Sequence, residues 1–170
     1  MTTHLIVRVI HIICAALWVG AAAVSAIVLM PALRDLGAEG GKFAAAIERR
    51  KFGGLVGIIA VVTVLSGFWL YYLYTGGFSP EVSRSHAGMA YGAGGLLGLT
   101  ALIIGGGVLS RSLVKASTIA AQAANMPAGA DRAPLLAQAA RLRHRAETAG
   151  RIVAVLVVIA ATLMAAALYI

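Results

Sequence analysis

The chain has 170 residues, of which 61% are hydrophobic and 12% are charged. Its mean hydropathy is +0.92, which excludes an ordinary soluble domain, where apolar residues make up about half of the chain. The formal net charge is +8, and the single cysteine excludes an internal disulfide.

Four apolar stretches account for most of the chain, and they cover residues 5–33, 52–74, 87–109 and 152–170. A bilayer core about 30 Å thick needs about 20 mostly apolar residues of helix. Stretches of this length are too long to be strands, and helix is the only spanning option that satisfies their backbone in lipid. We therefore predict an all-α polytopic membrane protein, with residues 1–170 forming one antiparallel bundle of four transmembrane helices.

The first stretch carries a stripe of polar side chains. His4, Arg8, His11 and Trp18 are spaced at i, i+4, i+7 and i+14, which places them on one helix face. Ionisable side chains inside a span are costly, so they normally face the bundle interior and mark a site. His11 lies about a turn and a half below the predicted membrane surface, and it is the first candidate ligand.

The second and third stretches are joined by residues 76–81, which are short and rich in turn residues, so we expect antiparallel neighbours. His86 immediately precedes the third stretch, which contains the glycine pairs Gly88/Gly92 and Gly94/Gly98. Such spacing lets helices pack closely in lipid, either within one bundle or in a homodimer. A glycine face could equally make room for a flat macrocycle, and the sequence leaves both interpretations open.

Residues 110–151 separate the third and fourth stretches and are predicted to extend both helices beyond the bilayer as a helical hairpin. Residues 111–124 are rich in alanine and leucine, and residues 125–129 contain the breakers Asn125, Pro127 and Gly129. Asp131 can cap the helix that follows.

The basic residues are distributed unevenly between the two sides of the predicted bundle. Only Arg8 and Arg84 lie on the side of the termini, and twelve of the fourteen lie on the side of the first and third loops. Cytoplasmic loops carry this excess, so we expect both termini outside and these two loops in the cytoplasm, in the inner (plasma) membrane. The orientation accounts for the charge, so no nucleic-acid partner is expected. The twelve are Arg34, Lys42, Arg49, Arg50, Lys51, Arg111, Lys115, Arg132, Arg141, Arg143, Arg145 and Arg151.

The histidines predict a haem site near the outer face. The first and third helices run in the same direction, so His11 and His86 are expected at a similar depth, where a pair of imidazoles can hold haem b in a bundle. Arg8 and Arg84 are the basic residues on that side, and they would pair with the propionates. Trp18 would pack along the macrocycle. His144 opens the fourth helix from the opposite side and is excluded from this site.

The segment from His11 to Trp18 resembles the first helix of the HemJ-type protoporphyrinogen oxidases and of the copper-resistance D membrane proteins. Ile47-Glu48-Arg49-Arg50 and Ser66-Gly67-Phe68-Trp69-Leu70 are similar to the start and end of the HemJ-type second helix. His86 matches the histidine that opens helix three there, and Arg143 with Glu147 resembles the opening of helix four. The resemblance implies a haem b site with His11 and His86 as ligands.

Two departures from the HemJ-type pattern affect the reaction more than the cofactor. Gly88 stands where that pattern has a lysine, and Ala146-Glu147-Thr148-Ala149 lacks its asparagine and proline. We therefore expect a haem b protein in electron transfer or haem-dependent oxidation, with weak or no protoporphyrinogen oxidase activity. Whether it is an enzyme stays open. Its partners would be membrane lipid and a quinone or another membrane redox partner.

Two other functions remain open from the sequence. A copper transport or homeostasis protein could use His11 with Cys14 and His86 with Met89, because each pair is three residues apart on one helix face and suits Cu(I). A non-catalytic assembly subunit could instead bind a partner through the cytoplasmic hairpin.

Overall fold

The computed structural model describes residues 2–127 and 132–170, and the described residues are helical with short turns. Four of the helical segments are long and apolar enough to cross a membrane. The predicted all-α class and the four apolar spans are confirmed. Asp131, which was predicted to cap the last helix, lies outside the described residues.

The first span is a continuous helical rod with a wider turn inside it. Helix α1 covers Thr2–Val24, a π-helical segment covers Ser25–Leu29, and α2 covers Met30–Asp35. Pro31 lies in the first turn of α2, where it has no N–H to donate and its ring would crowd the carbonyl four residues earlier. The π-helical segment lies immediately before it, and the Met30 amide bonds to the Ser25 carbonyl across the wider turn.

A helix absent from our sequence prediction, α3, covers Gly37–Arg49 and folds back against α2. The turn between α2 and α3 depends on two glycines. Gly37 has a φ of 53°, a left-handed conformation that favours glycine. At Gly40, a β-carbon would lie 2.0 Å from the Leu33 carbonyl oxygen, so only glycine fits at this contact.

The second span is α4, Phe52–Tyr74, with the same bounds as the predicted stretch. Its end is held by Thr75, whose hydroxyl donates to the Tyr71 carbonyl at 2.9 Å and accepts the Phe78 amide at 2.9 Å. The short helix α5, Pro80–Ser83, follows. Helix α6, His86–Ile104, begins at Ser85, whose hydroxyl accepts the Gly88 amide at 3.1 Å.

The third span also contains a π-helical segment, Gly105–Ser110, before it continues as α7, Arg111–Ala124. The last helix, α8, runs unbroken over Arg132–Ala166. Helices α7 and α8 pack closely because their contact is lined by small residues, which let two backbones approach. The buried alanines of this contact are Ala116, Ala123, Ala139 and Ala146.

The four spans pack as the corners of a square, in which α1 contacts α4 and α8, and α6 contacts the same two helices. Helices α1 and α6 therefore lie at opposite corners. The core contains Trp18, Ala60, Ala101, Val153 and Val157. The end of the bundle beyond which α7 and α8 extend is called the hairpin side. The end at which α4 connects to α6 is called the turn side.

Several third-span glycines make room for side chains of the same chain. A β-carbon at Gly92 would lie 3.1 Å from the Tyr71 hydroxyl, and one at Gly94 would lie 3.0 Å from Met164. These two glycines are used inside the bundle. Gly95 and Gly98 have open space beside them, so part of the glycine surface faces away from the packed helices.

Candidate ligand site at His11

His11 lies on the face of α1 that packs against α4. It is two turns from Trp18 on the same face, and its side chain is half-buried. Trp18, at 5% exposure, fills the bundle interior on the hairpin side of His11. His11 therefore faces the bundle, as predicted, and its neighbouring helix is α4.

Two contacts fix the orientation of the His11 ring. Its Nδ1 lies 3.0 Å from the Thr63 carbonyl oxygen and 3.1 Å from the Ser66 Oγ. Because a carbonyl oxygen can only accept, Nδ1 carries the proton and donates. The Ser66 hydroxyl donates to the Val62 carbonyl at 2.6 Å, which leaves its oxygen lone pairs available to His11. In the neutral imidazole, Nε2 of His11 is then unprotonated and has a free lone pair.

Gly67 provides the space for the ring. A β-carbon at this position would lie 2.8 Å from Cε1 of His11 and 3.3 Å from Nδ1. Both distances are shorter than ordinary van der Waals contact, so an alanine there would displace the imidazole. Thr63, Ser66 and Gly67 of α4 therefore surround the ring of His11 of α1. We call these three residues together with His11 the His11 cradle.

This arrangement is the one that metal-ligating histidines normally have. In such sites one ring nitrogen donates to a carbonyl or carboxylate, which fixes the tautomer and makes the other nitrogen a better ligand. The cradle therefore fits an axial haem ligand. The same contacts also join α1 to α4 without any ligand, as an interhelical hydrogen bond in lipid does.

The structure does not bring His86 to His11. Tyr71 lies against Gly92, and the rings of Tyr74 and Tyr91 are 5.2 Å apart, which aligns α4 with α6. At about 1.5 Å per residue, the His11 cradle is about 6–12 Å from Tyr71 toward the hairpin side. By the same rise, His86 is about 9 Å from Gly92 in the opposite direction. By helix rise, the positions of the two histidines thus differ by roughly 15 Å in depth.

Two ligands of one iron lie at the same level, so this estimated offset argues against His86 as the partner of His11. His86 is exposed at the first position of α6. Our expectation of matching depth was based on helix direction alone. It did not include the extra turns that carry the start of α6 beyond the end of α4.

The remaining predicted site residues are dispersed. Arg8 is exposed one turn from His11 toward the turn side, and Arg84 is exposed just before α6. Cys14 is a free, partly buried thiol one turn from His11, whereas Met89 is exposed near the start of α6. The two halves of the proposed copper set are therefore at different depths. Within residues 2–127 and 132–170 there is no group of three or more His, Cys, Asp or Glu side chains placed to hold a metal ion.

Thr63, Ser66 and Gly67 are the site residues that our sequence reasoning missed as a group. Ser66 and Gly67 belong to the segment that resembles the HemJ-type second helix, whereas Thr63 lies outside that segment. A signal for them was present in the sequence, because Thr63 and Ser66 are two hydroxyl residues at i and i+3 inside an apolar helix, followed by a glycine.

Comparisons with protein-family models, with curated proteins and with solved structures gave no match for the chain.

Proposed function

We propose that this chain is an integral membrane protein that binds haem b through His11 and acts in a haem-dependent oxidation or in electron transfer. The observation that carries the proposal is the fixed imidazole, with Nδ1 bound to the Thr63 carbonyl and Nε2 free inside a membrane span. Ionisable groups in such positions are retained for function more often than for packing.

The residues of the chain have separate tasks in this proposal. His11 holds the iron, Thr63 and Ser66 set the ring orientation and tautomer, and Gly67 leaves the space that the ring occupies. Arg8, one turn away and exposed, is the basic residue best placed to pair with a propionate. Bound haem would supply one-electron or oxygen chemistry, with a potential tuned by the ligand and the apolar surroundings.

The separation of His86 from His11 bears on whether oxidation or electron transfer is the favoured activity. In this proposal His11 is the one haem ligand that the chain would supply. A single protein ligand would favour haem-dependent oxidation over pure electron transfer, with the electrons of the oxidised substrate passing to a quinone or another membrane redox partner. Protoporphyrinogen oxidation is not favoured. A β-carbon at Gly88 would lie 2.1 Å from the Val82 carbonyl, so this turn does not accommodate the lysine of the HemJ-type pattern.

The test is the absorption spectrum of the protein purified after haem supplementation. We expect a Soret band in the wild type, loss of the band in His11→Ala, and a strongly reduced band in Gly67→Ala. His86→Ala is the matched control, since it removes an exposed imidazole from the same side of the bundle, and its spectrum should match the wild type.

Three results would contradict the proposal. A wild type that stays colourless after supplementation would exclude haem, and stoichiometric Cu(I) binding by that protein would favour the copper alternative. A normal spectrum in His11→Ala would exclude His11 as the ligand. Loss of the band in His86→Ala alone would show that the iron is held at the exposed end of α6.

We also infer that the hairpin side faces the cytoplasm, because it holds twelve of the fourteen basic residues. In a Cys14→Ser background, Ser117→Cys on α7 should resist a membrane-impermeant thiol reagent added to intact cells. Glu81→Cys, in the α4–α6 connection, should be labelled. The reverse pattern would overturn this orientation.

A further inference from the structure

An ion cluster joins the first span to α8 at the hairpin side. Nη2 of Arg151 lies 2.6 Å from Oε1 of Glu147, and Nη1 of Arg34 lies 3.8 Å from the same oxygen. The Glu147 side chain is only 15% exposed, whereas both arginine side chains are more than half exposed. Asp35, also exposed, lies 3.8 Å from Nε of Arg34. One mostly buried carboxylate thus lies between two arginine side chains that remain exposed.

Arg151 also forms the mouth of an apolar groove. The groove has a volume of about 500 Å³ and runs between the π-helical segment of the first span and α8. Along α8 it extends from Arg151 to Ile159, which is about 12 Å at the rise of a helix. Apart from Arg151, its lining is aliphatic: Ala23, Ala26, Ile27, Ala154, Val155, Val158 and Ile159.

The shape and chemistry of this surface match one class of ligand. The groove lies along two membrane spans, and its deep end is apolar, which suits an acyl chain. Its mouth presents guanidinium donors, which bind phosphate through paired N–H groups. A phospholipid combines an acyl chain, which would lie in the groove, with a phosphate, which would lie at its mouth.

The surrounding charge favours an anionic headgroup. The hairpin side holds twelve basic residues against five acidic ones, Asp35, Glu39, Glu48, Asp131 and Glu147. A basic segment next to a membrane attracts anionic lipid by about 1 kcal/mol per Lys or Arg near the surface. The local pairing of Arg34 and Arg151 with acidic groups does not remove this excess, because further arginines follow along α8.

We propose that this surface is a binding site for one anionic phospholipid of the hairpin-side leaflet, with a phosphate on Arg151 and Arg34 and an acyl chain in the groove. The bound lipid would link the first span to α8. Its proposed location, about half the bundle away from the His11 cradle, makes this inference independent of haem binding.

The experiment is native mass spectrometry of the full chain in detergent, titrated with dioleoyl phosphatidylglycerol. We expect one lipid to bind with at least tenfold preference over dioleoyl phosphatidylcholine. Arg151→Gln and the groove-filling variant Val155→Trp should each lose at least tenfold in affinity. Arg34→Gln should lose less, because that arginine is farther from the groove. Arg141→Gln removes an exposed charge about 15 Å farther along α8 and should bind like the wild type.

Other outcomes would overturn the site. Equal binding of phosphatidylglycerol by wild type, Arg151→Gln and Val155→Trp would show that lipid adheres elsewhere. Equal binding of the two lipids would remove the anionic selectivity. Binding of glycerol 3-phosphate with the same affinity as the lipid would show a phosphate site that does not use the groove. Because Arg151→Gln also leaves Glu147 with a weaker partner, Arg151→Lys is included, and partial recovery of lipid binding is expected.

Discussion

Two contacts between neighbouring helices of this bundle are built from different chemistry. Between α7 and α8, the contact consists of buried alanines, and close backbone approach supplies the attraction. Between α1 and α4, the contact includes a half-buried imidazole that is hydrogen-bonded to a carbonyl and a hydroxyl of the neighbouring helix. The first contact is apolar packing, and the second adds an interhelical hydrogen bond from an ionisable side chain.

The difference indicates where function is located. Small apolar residues join α7 to α8 without an interhelical hydrogen bond, so a contact of this kind does not in general need a histidine. Interhelical hydrogen bonds in membranes contribute only about 0.6 kcal/mol on average, and about 1–2 kcal/mol in model peptides. A histidine with one nitrogen held and one nitrogen free is the feature on which the proposed ligand role rests.

The largest effect on stability is expected at Trp18, the residue that we assigned to the macrocycle and that the structure has in the core. Trp18→Ala removes a large buried side chain from the core cluster that also contains Ala60, Ala101, Val153 and Val157. Such changes cost about 3–5 kcal/mol of unfolding free energy. Thermal unfolding in detergent measures it, with Trp69→Ala as the control, because Trp69 is about half exposed. Equal losses in the two variants would contradict the core assignment.

A smaller loss is expected from enlarging the alanine contact. Ala116 is almost fully buried between α7 and α8, whereas Ala121 on the same helix is exposed. Ala116→Leu must push the two helices apart, and overpacking of this kind costs about 1–3 kcal/mol. Ala121→Leu should leave the unfolding temperature nearly unchanged. Haem content per folded protein should be normal in both variants, because neither residue lies near the His11 cradle.

The fold could be predicted from the sequence to the extent that hydropathy determines it. The four spans follow from segments long enough to cross a bilayer, and α4 has its predicted bounds. The two π-helical segments and α3 were not predicted. A π-helical turn depends on how a proline or a glycine run packs against α8, and α3 is a short helix with two glycines in its first turn. Neither is visible in the apolar pattern.

The candidate site could be predicted only in part, for a geometric reason. His11 could be selected because it is an ionisable residue on the face of α1 that also carries Trp18. The depth of His86 relative to His11 could not be derived, because helix direction gives the order of residues along α6 but not the offset of α6 against α4. That offset is set by the Tyr71–Gly92 and Tyr74–Tyr91 contacts, which carry no recognisable spacing in the sequence.

The smallest effect on stability, and the sharpest test of the comparison, is expected at Ser66. Its hydroxyl donates to its own helix and accepts from His11, so Ser66→Ala removes one of two acceptors of the Nδ1 proton. We expect about 0.5–1 kcal/mol of lost stability, together with a several-fold loss in haem affinity, because the ring is held less firmly. Thr100→Ala is the matched control, since the Thr100 hydroxyl donates to the Leu96 carbonyl of its own helix and lies far from His11. If the cradle served only to join α1 to α4, Ser66→Ala would lower stability and leave the haem affinity of the folded protein unchanged. Measuring both quantities on the same samples therefore separates a ligand-orienting serine from one that only connects two helices.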